Sequence, residues 1–327
     1  MKLATMKNGR RDGALMLVSG DRERWVSTSE FAPNLQVALE NWAEVAPGLK
    51  KLSAALDNGE VTGERFDAAL AECPLPRAFQ WLDGSAYLAH GRQMTKAFKL
   101  AANAQFDGTP LMYQGGSDRF IAPLDDAPFV SEADGIDFEG EFAVVVDEVP
   151  MGIKAAAALS HIQLVMLAND WSCRELGPRE MKSGFGFVQA KPATSFGPIA
   201  VTPDELGAAW SAGRIDLPMR VWRDGVLFGN VPGLGMDYDF GQLIEHAART
   251  RTLSAGTIIG SGTVSVGDPF GVGSSCISER RGGEMIEFGE PQTGYLRFGE
   301  RVRVEVLDAE GISVFGAIEQ TVVKGGK

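Results

Sequence analysis

The stretch DFEGEFAVVV, residues 137–146, decides how the rest of the chain is read. Acids stand at alternate positions, Asp137, Glu139 and Glu141, and an unbroken apolar run follows. Alternate residues of a strand share a face, so a strand here aligns three carboxylates that repel one another. Two arrangements tolerate this: an outer face where water screens the charges, or a bound cation. The continuation FAVVV carries the strand toward a core, where carboxylates need a counter-charge. On the second reading, more acids must converge from elsewhere in the chain.

Two other acids are candidates. SHIQLVMLANDWSCRE, residues 160–175, reads as an apolar helix ending at Asn169-Asp170-Trp171, which would hold Asp170 in place. Asp83 lies in QWLDGSAYLAH, residues 80–90. Oxygen ligands without a histidine or cysteine cluster suit a hard cation, Mg²⁺ or Ca²⁺ with Mn²⁺ as a further choice, and do not suit zinc.

The chain around this stretch sets bounds. Its 327 residues are 44% hydrophobic, enough for one large domain or two smaller ones. With 43 acids against 31 Lys plus Arg the net charge is −12, which argues against nucleic acid as the main partner. The three cysteines, Cys73, Cys173 and Cys276, are odd in number and form no CxxC pair, which argues against a disulfide framework or zinc ribbon. The first twenty residues are too broken by charge and glycine for a signal peptide. No apolar run approaches the ~18 residues a membrane span needs. The expectation is a reduced, soluble, cytoplasmic protein with no membrane partner.

The chain changes character near residue 75. Before it, GALMLVSGDRERWVS reads as a hairpin around Gly20-Asp21. NLQVALENWAEV reads as a helix capped by Asn34, and PGLKKLSAAL as a helix beginning at Pro47. CPLPRAFQW reads as a boundary. Beyond it, RVWRDGVLFGNV carries an Asp224-Gly225 hairpin signal, and ERVRVEVLDAEGISVFGAIEQTVV alternates as a second hairpin. Helical segments there are few: Lys154–Leu167, and Asp239–Arg251 with Asp239 as cap. The expected architecture is α+β and mostly β, with a small N-terminal domain over residues 1–75 and a larger domain over 76–327.

FEGEFAVVV, NDWSCRE, QAKPATSFGP and SGTVSVGDPFGVGS, in that order, together resemble the fumarylacetoacetate hydrolase family from about Asp83 to Thr321. The resemblance implies a mixed β-roll catalytic domain, a divalent metal and a homodimer. DGSAYLAHGRQ is similar to the fumarylacetoacetase branch, in which a metal-ligating Asp precedes a catalytic His by seven residues, here Asp83 and His90. PLMYQGGSD resembles the same branch and places Tyr113 at a substrate contact. Carried over residue by residue, the resemblance implies Asp83, Glu139, Glu141 and Asp170 as metal ligands, with Asp137 outside. His90 would be the base. Glu279 would orient it, with Glu284 as the second candidate. Lys191 and Arg174 would be the cations, and Thr263 a substrate-carboxylate contact. Two positions depart from the branch: Gly177 where a Gln is common, and Lys99 where an Arg is expected.

The implied reaction is hydrolysis of a carbon–carbon bond in a β-diketo acid, fumarylacetoacetate to fumarate and acetoacetate. The alternatives within the family are a 2-oxo-dienoate hydratase, a decarboxylase and an acylpyruvate hydrolase. The chemistry asks for a base near neutrality, an acceptor to hold its ring, and cations facing the departing enolate. Outside the family, a serine hydrolase needs a GxSxG elbow, which no serine has here. A non-catalytic metal-binding module stays open if His90 lies far from the acids. His161 and His246 read as structural, Cys173 as a packing residue, and Trp171, Trp222 and Phe187 as core.

Overall fold

In the computed structural model, which describes residues 1–99 and 108–326 apart from the Phe98 side chain, Gly140–Val146 is a strand buried along its whole length. It is hydrogen-bonded on both sides, antiparallel to Ile162–Asn169 and to Ile258–Gly260. A strand with both edges paired and both faces covered favours a continuous apolar run. Each fully buried valine of this strand contributes on the order of 1.5–3 kcal/mol. Trp81–Gly84 runs parallel to Ile258–Gly260 and antiparallel to Met112–Gly115.

The N-terminal strands extend the same sheet. Lys2–Met6 pairs with Ile199–Val201, and Ala14–Val18 and Arg24–Ser27 follow outward, in a sheet of 12 strands. The side chains of Gly140–Val146 alternate between two apolar clusters. Phe142, Val144 and Val146 join Met219, Val221 and Val304 of a second, five-stranded sheet. Ala143 and Val145 join Leu35, Leu39 and Leu49 of the N-terminal helices. The central strand is therefore sandwiched between a sheet and a helical layer, and charge is confined to its ends.

Local chemistry accounts for several elements. Asn34 caps Leu35–Glu40 by accepting from the Val37 N–H at 2.9 Å. Asp239 and Gln242 form a reciprocal capping box at the start of Phe240–Ala247. Both hairpins of the second half form: Pro218–Arg223 with Val226–Pro232 across Asp224-Gly225, and Arg301–Val306 with Ile318–Lys324. Asp224 and Gly225 both have positive φ, as the tight turn requires.

Two helix expectations fail. Residues 162–169 are a strand, and the expected Lys154–Leu167 helix is reduced to Ala155–Ala158 and a single turn at Leu159–His161. A short apolar run reads equally as buried helix or buried strand. Here pairing with Gly140–Val146 decides it. The second helix begins at Trp42, so Pro47 lies inside it instead of at its start. Among the described residues no helix is long and apolar enough to cross a membrane. All three cysteines are free and buried.

Candidate active site

The sheet brings four acids to one place. Glu141 is the second residue of the central strand, opposite Ala168, Asp170 follows the adjacent strand, and Asp83 lies in Trp81–Gly84 opposite Gly260. Glu139 precedes the strand, its N–H bonded to Asn169 Oδ1 at 3.0 Å, and its carbonyl accepts from the Asp170 N–H at 3.0 Å. One carboxylate oxygen from each of Asp83, Glu139, Glu141 and Asp170 lies within 4.8 Å of the others, and all four residues are buried. Asp83 is positioned by Gly262, whose N–H donates to its Oδ1 at 3.1 Å. Gly262 has φ +76°, and a Cβ there would sit 2.3 Å from the Gly84 carbonyl oxygen, so only glycine fits.

Asp137, the third acid of the stretch, is turned to other partners. It accepts from Arg174 Nε at 2.8 Å and from the backbone N–H groups of Ile277 and Ser278 at 2.8 and 2.9 Å, at the N-terminus of helix Ile277–Phe288.

Two cations enter the cluster. Lys191 Nζ lies 2.5 Å from Glu139 Oε2 and 2.6 Å from Asp170 Oδ2, and Arg174 Nη2 lies 2.5 Å from Glu139 Oε1. Burial raises the Glu139 carboxyl, but Arg174 and Lys191 outweigh it and hold the group below the usual range. For Asp83 and Glu141 the Lys191 charge is outweighed. Burial first, then the neighbouring carboxylates, push both well above the usual range. Two cations cannot neutralise four carboxylates, and Arg174 is shared with Asp137. Both Glu141 oxygens are buried without a hydrogen-bond donor. An all-oxygen cluster with orphaned carboxylate atoms and surplus negative charge fits a hard divalent cation.

Tyr113 and Thr194 complete the surroundings. The Tyr113 hydroxyl donates to Asp170 Oδ2 and that of Thr194 to Asp170 Oδ1, both at 2.6 Å. Phe187, expected in the core, is half-buried and packs edge-on against Tyr113 at 5.3 Å. Trp222 is also half-buried and lies under the Arg303 guanidinium, whereas Trp171 is fully buried. Thr263 is buried directly after Gly262.

A second group adjoins the first. Donor atoms of His90, Cys276 and Glu279 lie within 4.8 Å of one another, and Cys276 forms a β-bridge with Glu139. His90 sits in helix Leu88–Phe98, and Glu279 in the first turn of Ile277–Phe288. Glu279 Oε1 accepts from Ser265 Oγ, while Glu279 Oε2 and His90 Nδ1 are buried without partners. Glu284 is engaged elsewhere, by the N–H groups of Gln292 and Thr293 and the Thr293 hydroxyl. Burial pushes the His90 imidazolium down to about 4, so the ring is neutral at neutral pH. Burial also pushes Cys276 well up, which makes it inert as a free thiol. His161 bonds Asp147 at 2.6 Å, and His246 lies in helix Phe240–Ala247. Lys99 ends helix Leu88–Phe98 in a left-handed conformation and is exposed. Ser265, Thr194 and Cys276 carry no sequence signal beyond lying in or beside the quoted motifs.

Glu279 makes one pH effect measurable. Burial raises its carboxyl from 4.5 to about 7. Below pH 4.5 the group is protonated folded and unfolded. Between 4.5 and 7 only the unfolded chain ionises, so this contribution to stability is lost as pH rises. Glu279→Gln removes the effect. Its melting temperature relative to wild type is expected to rise between pH 4.5 and pH 7.5, with an energy on the order of 3 kcal/mol at most. A difference independent of pH would show that burial does not raise the Glu279 carboxyl.

The family profile described as "Fumarylacetoacetate (FAA) hydrolase C-terminal" matches residues 80–323, and "Fumarylacetoacetase N-terminal domain 2" matches residues 1–77. The chain belongs to the fumarylacetoacetate hydrolase family. Within reach of this fumarylacetoacetate hydrolase family member is the mitochondrial oxaloacetate tautomerase fahd2 of Xenopus laevis. It is 25% identical over 293 residues, 88% of this chain and 81% of the relative. Two solved structures share the fold over the full length of both chains. An HpcE protein of Mycobacterium smegmatis superposes with a TM-score of 0.70 at 19% identity. The maleylpyruvate hydrolase of Sphingobium sp. SYK-6, solved with manganese(II) and pyruvate, does so with a TM-score of 0.67 at 17% identity.

Proposed function

We propose that this chain is a metal-dependent hydrolase that cleaves a carbon–carbon bond of a β-diketo acid, with fumarylacetoacetate, cleaved to fumarate and acetoacetate, as the first substrate to test. The observation that carries the reading is the junction of two groups. A buried four-carboxylate cluster flanked by two cations adjoins a neutral histidine with an unpartnered nitrogen next to a buried glutamate. Asp83, Glu139, Glu141 and Asp170 would hold Mg²⁺, Ca²⁺ or Mn²⁺. When bound, that ion would supply Lewis-acid stabilisation of negative charge on the substrate oxygens.

The chain's own residues do the rest. His90 takes a proton from water, as a neutral imidazole can. Glu279 would orient the ring by receiving its other N–H at Oε2, which has no other partner, as in triad logic. Lys191 and Arg174 place fixed positive charge beside the oxygen where negative charge develops. Tyr113 and Thr263 position the substrate, Thr263 at its carboxylate.

A second reading, keto–enol tautomerisation of a 2-oxo acid, is favoured by the similarity to the Xenopus protein. It needs proton transfer without attack by water. Product analysis after incubation with fumarylacetoacetate, with and without Mg²⁺ or Mn²⁺, separates the two. Fumarate plus acetoacetate supports the hydrolase. An isomerised or hydrated but uncleaved acid rejects it.

The reading includes a two-fold homodimer. Val226 and Leu227, 71% and 54% exposed, lie on an edge strand of the second sheet, which is an unusual position for apolar side chains in a monomer. Light scattering at micromolar concentration should give twice the chain mass; the single-chain mass would rule the dimer out.

A further inference from the structure

We propose that His90, Cys276 and Glu279 form a second metal site, one that takes a thiophilic divalent cation of the zinc type and blocks turnover when filled. Their donor atoms are an imidazole nitrogen, a sulfur and a carboxylate oxygen, all within 4.8 Å of one another. Three such ligands with an open fourth position are a donor set zinc accepts. The neighbouring cluster offers oxygen alone. The two groups therefore sort ions by softness, hard cations to the carboxylates and soft ones to the thiolate site.

Further observations point to a ligand here. Glu279 is 1% exposed, and its Oε2 has no partner; His90 Nδ1 has none either. Cys276 is fully buried, and no step of the proposed reaction uses it. Its Sγ accepts the Glu279 N–H at 3.3 Å, at the start of a 12-residue helix. His90 is only half-buried, whereas the other two are buried, so an ion can enter past the imidazole.

Binding is balanced in protons. The Cys276 S–H bond breaks, the sulfur–metal bond forms, and the proton leaves to solvent. His90 contributes the lone pair of its neutral ring and Glu279 its carboxylate. A ligated His90 nitrogen cannot accept a proton from water, and that is the block. This second half rests on the function proposed above; the binding half does not.

The test uses the full chain saturated with Mg²⁺ and titrated with Co²⁺. A cobalt–thiolate bond gives a sulfur-to-metal charge-transfer absorption that oxygen-ligated cobalt lacks. The band is expected in wild type and in Cys173→Ser, and is expected to vanish in Cys276→Ser, where serine preserves the helix cap. With Mg²⁺ held constant, Zn²⁺ that fills the site should lower wild-type kcat by at least ~10-fold, and Cys276→Ser should need about 100-fold more Zn²⁺ for the same loss. Absence of the band, or its persistence in Cys276→Ser, overturns the site. A full band with unimpaired turnover overturns the block. The cobalt reading needs no substrate, so it decides the site whichever acid the enzyme cleaves.

Discussion

Replacing His90 by alanine is expected to lower kcat by about 10²–10⁴-fold, the usual worth of a general base, while leaving affinity for Mg²⁺ or Mn²⁺ nearly unchanged. The split follows from the geometry. His90 belongs to the group with Cys276 and Glu279, and none of its atoms is among the four carboxylate oxygens that converge in the neighbouring group. Removing the ring deletes a proton acceptor and no ligand of the four-carboxylate group. Metal binding is read by the shift in melting temperature with added ion, and kcat by loss of the β-diketo acid with product analysis. His90→Ala with full cleavage activity would put the base elsewhere. A large loss of metal affinity would show that the two groups are one site.

Two acids of the same cluster are expected to respond in opposite ways when no metal is added. Glu141→Gln should leave the metal-free protein as stable as wild type or more so, and should abolish the stabilisation by metal. Glu141 is fully buried, and neither oxygen has a donor. Burial and the Asp83 and Asp170 carboxylates disfavour its charge. A neutral amide removes that cost and offers N–H groups to the neighbouring acids. Glu139→Ala should instead destabilise the metal-free protein, by up to about 3 kcal/mol, because Lys191 and Arg174 each lose one of two buried counter-charges and keep Asp170 and Asp137. In wild type, metal at 100-fold its Kd adds about 2.7 kcal/mol of stability, and both variants should lose that increment. Thermal unfolding of wild type and both variants, with and without Mg²⁺, measures all six states. A Glu141→Gln protein that kept the full metal-induced rise would remove Glu141 from the cation site.

Local chemistry in the sequence already determines much of this protein. The Asn34 and Asp239 caps and the Asp224-Gly225 turn are short-range, and a few residues are enough to specify them. The strand at 140–146 is legible because an apolar run directly after alternating acids fits little else. The four acids and His90 can be nominated because their spacing is a property of the chain. Only tertiary structure decides what each nominated residue faces. Residues 162–169 become a strand because they pair with Gly140–Val146, a fact their own pattern does not contain. Asp137 and Glu139 look equivalent in the sequence, yet the N-terminus of helix Ile277–Phe288 captures one and leaves the other to Lys191. Glu279 and Glu284 lie five residues apart, and helix geometry places only Glu279 beside His90, while Glu284 is held by Gln292 and Thr293. Phe187 has the composition of a core residue and sits against Tyr113 instead. A carboxylate's charge, its partners and its burial are set by groups far away in the chain, and so are decided only when the sheet has closed around them.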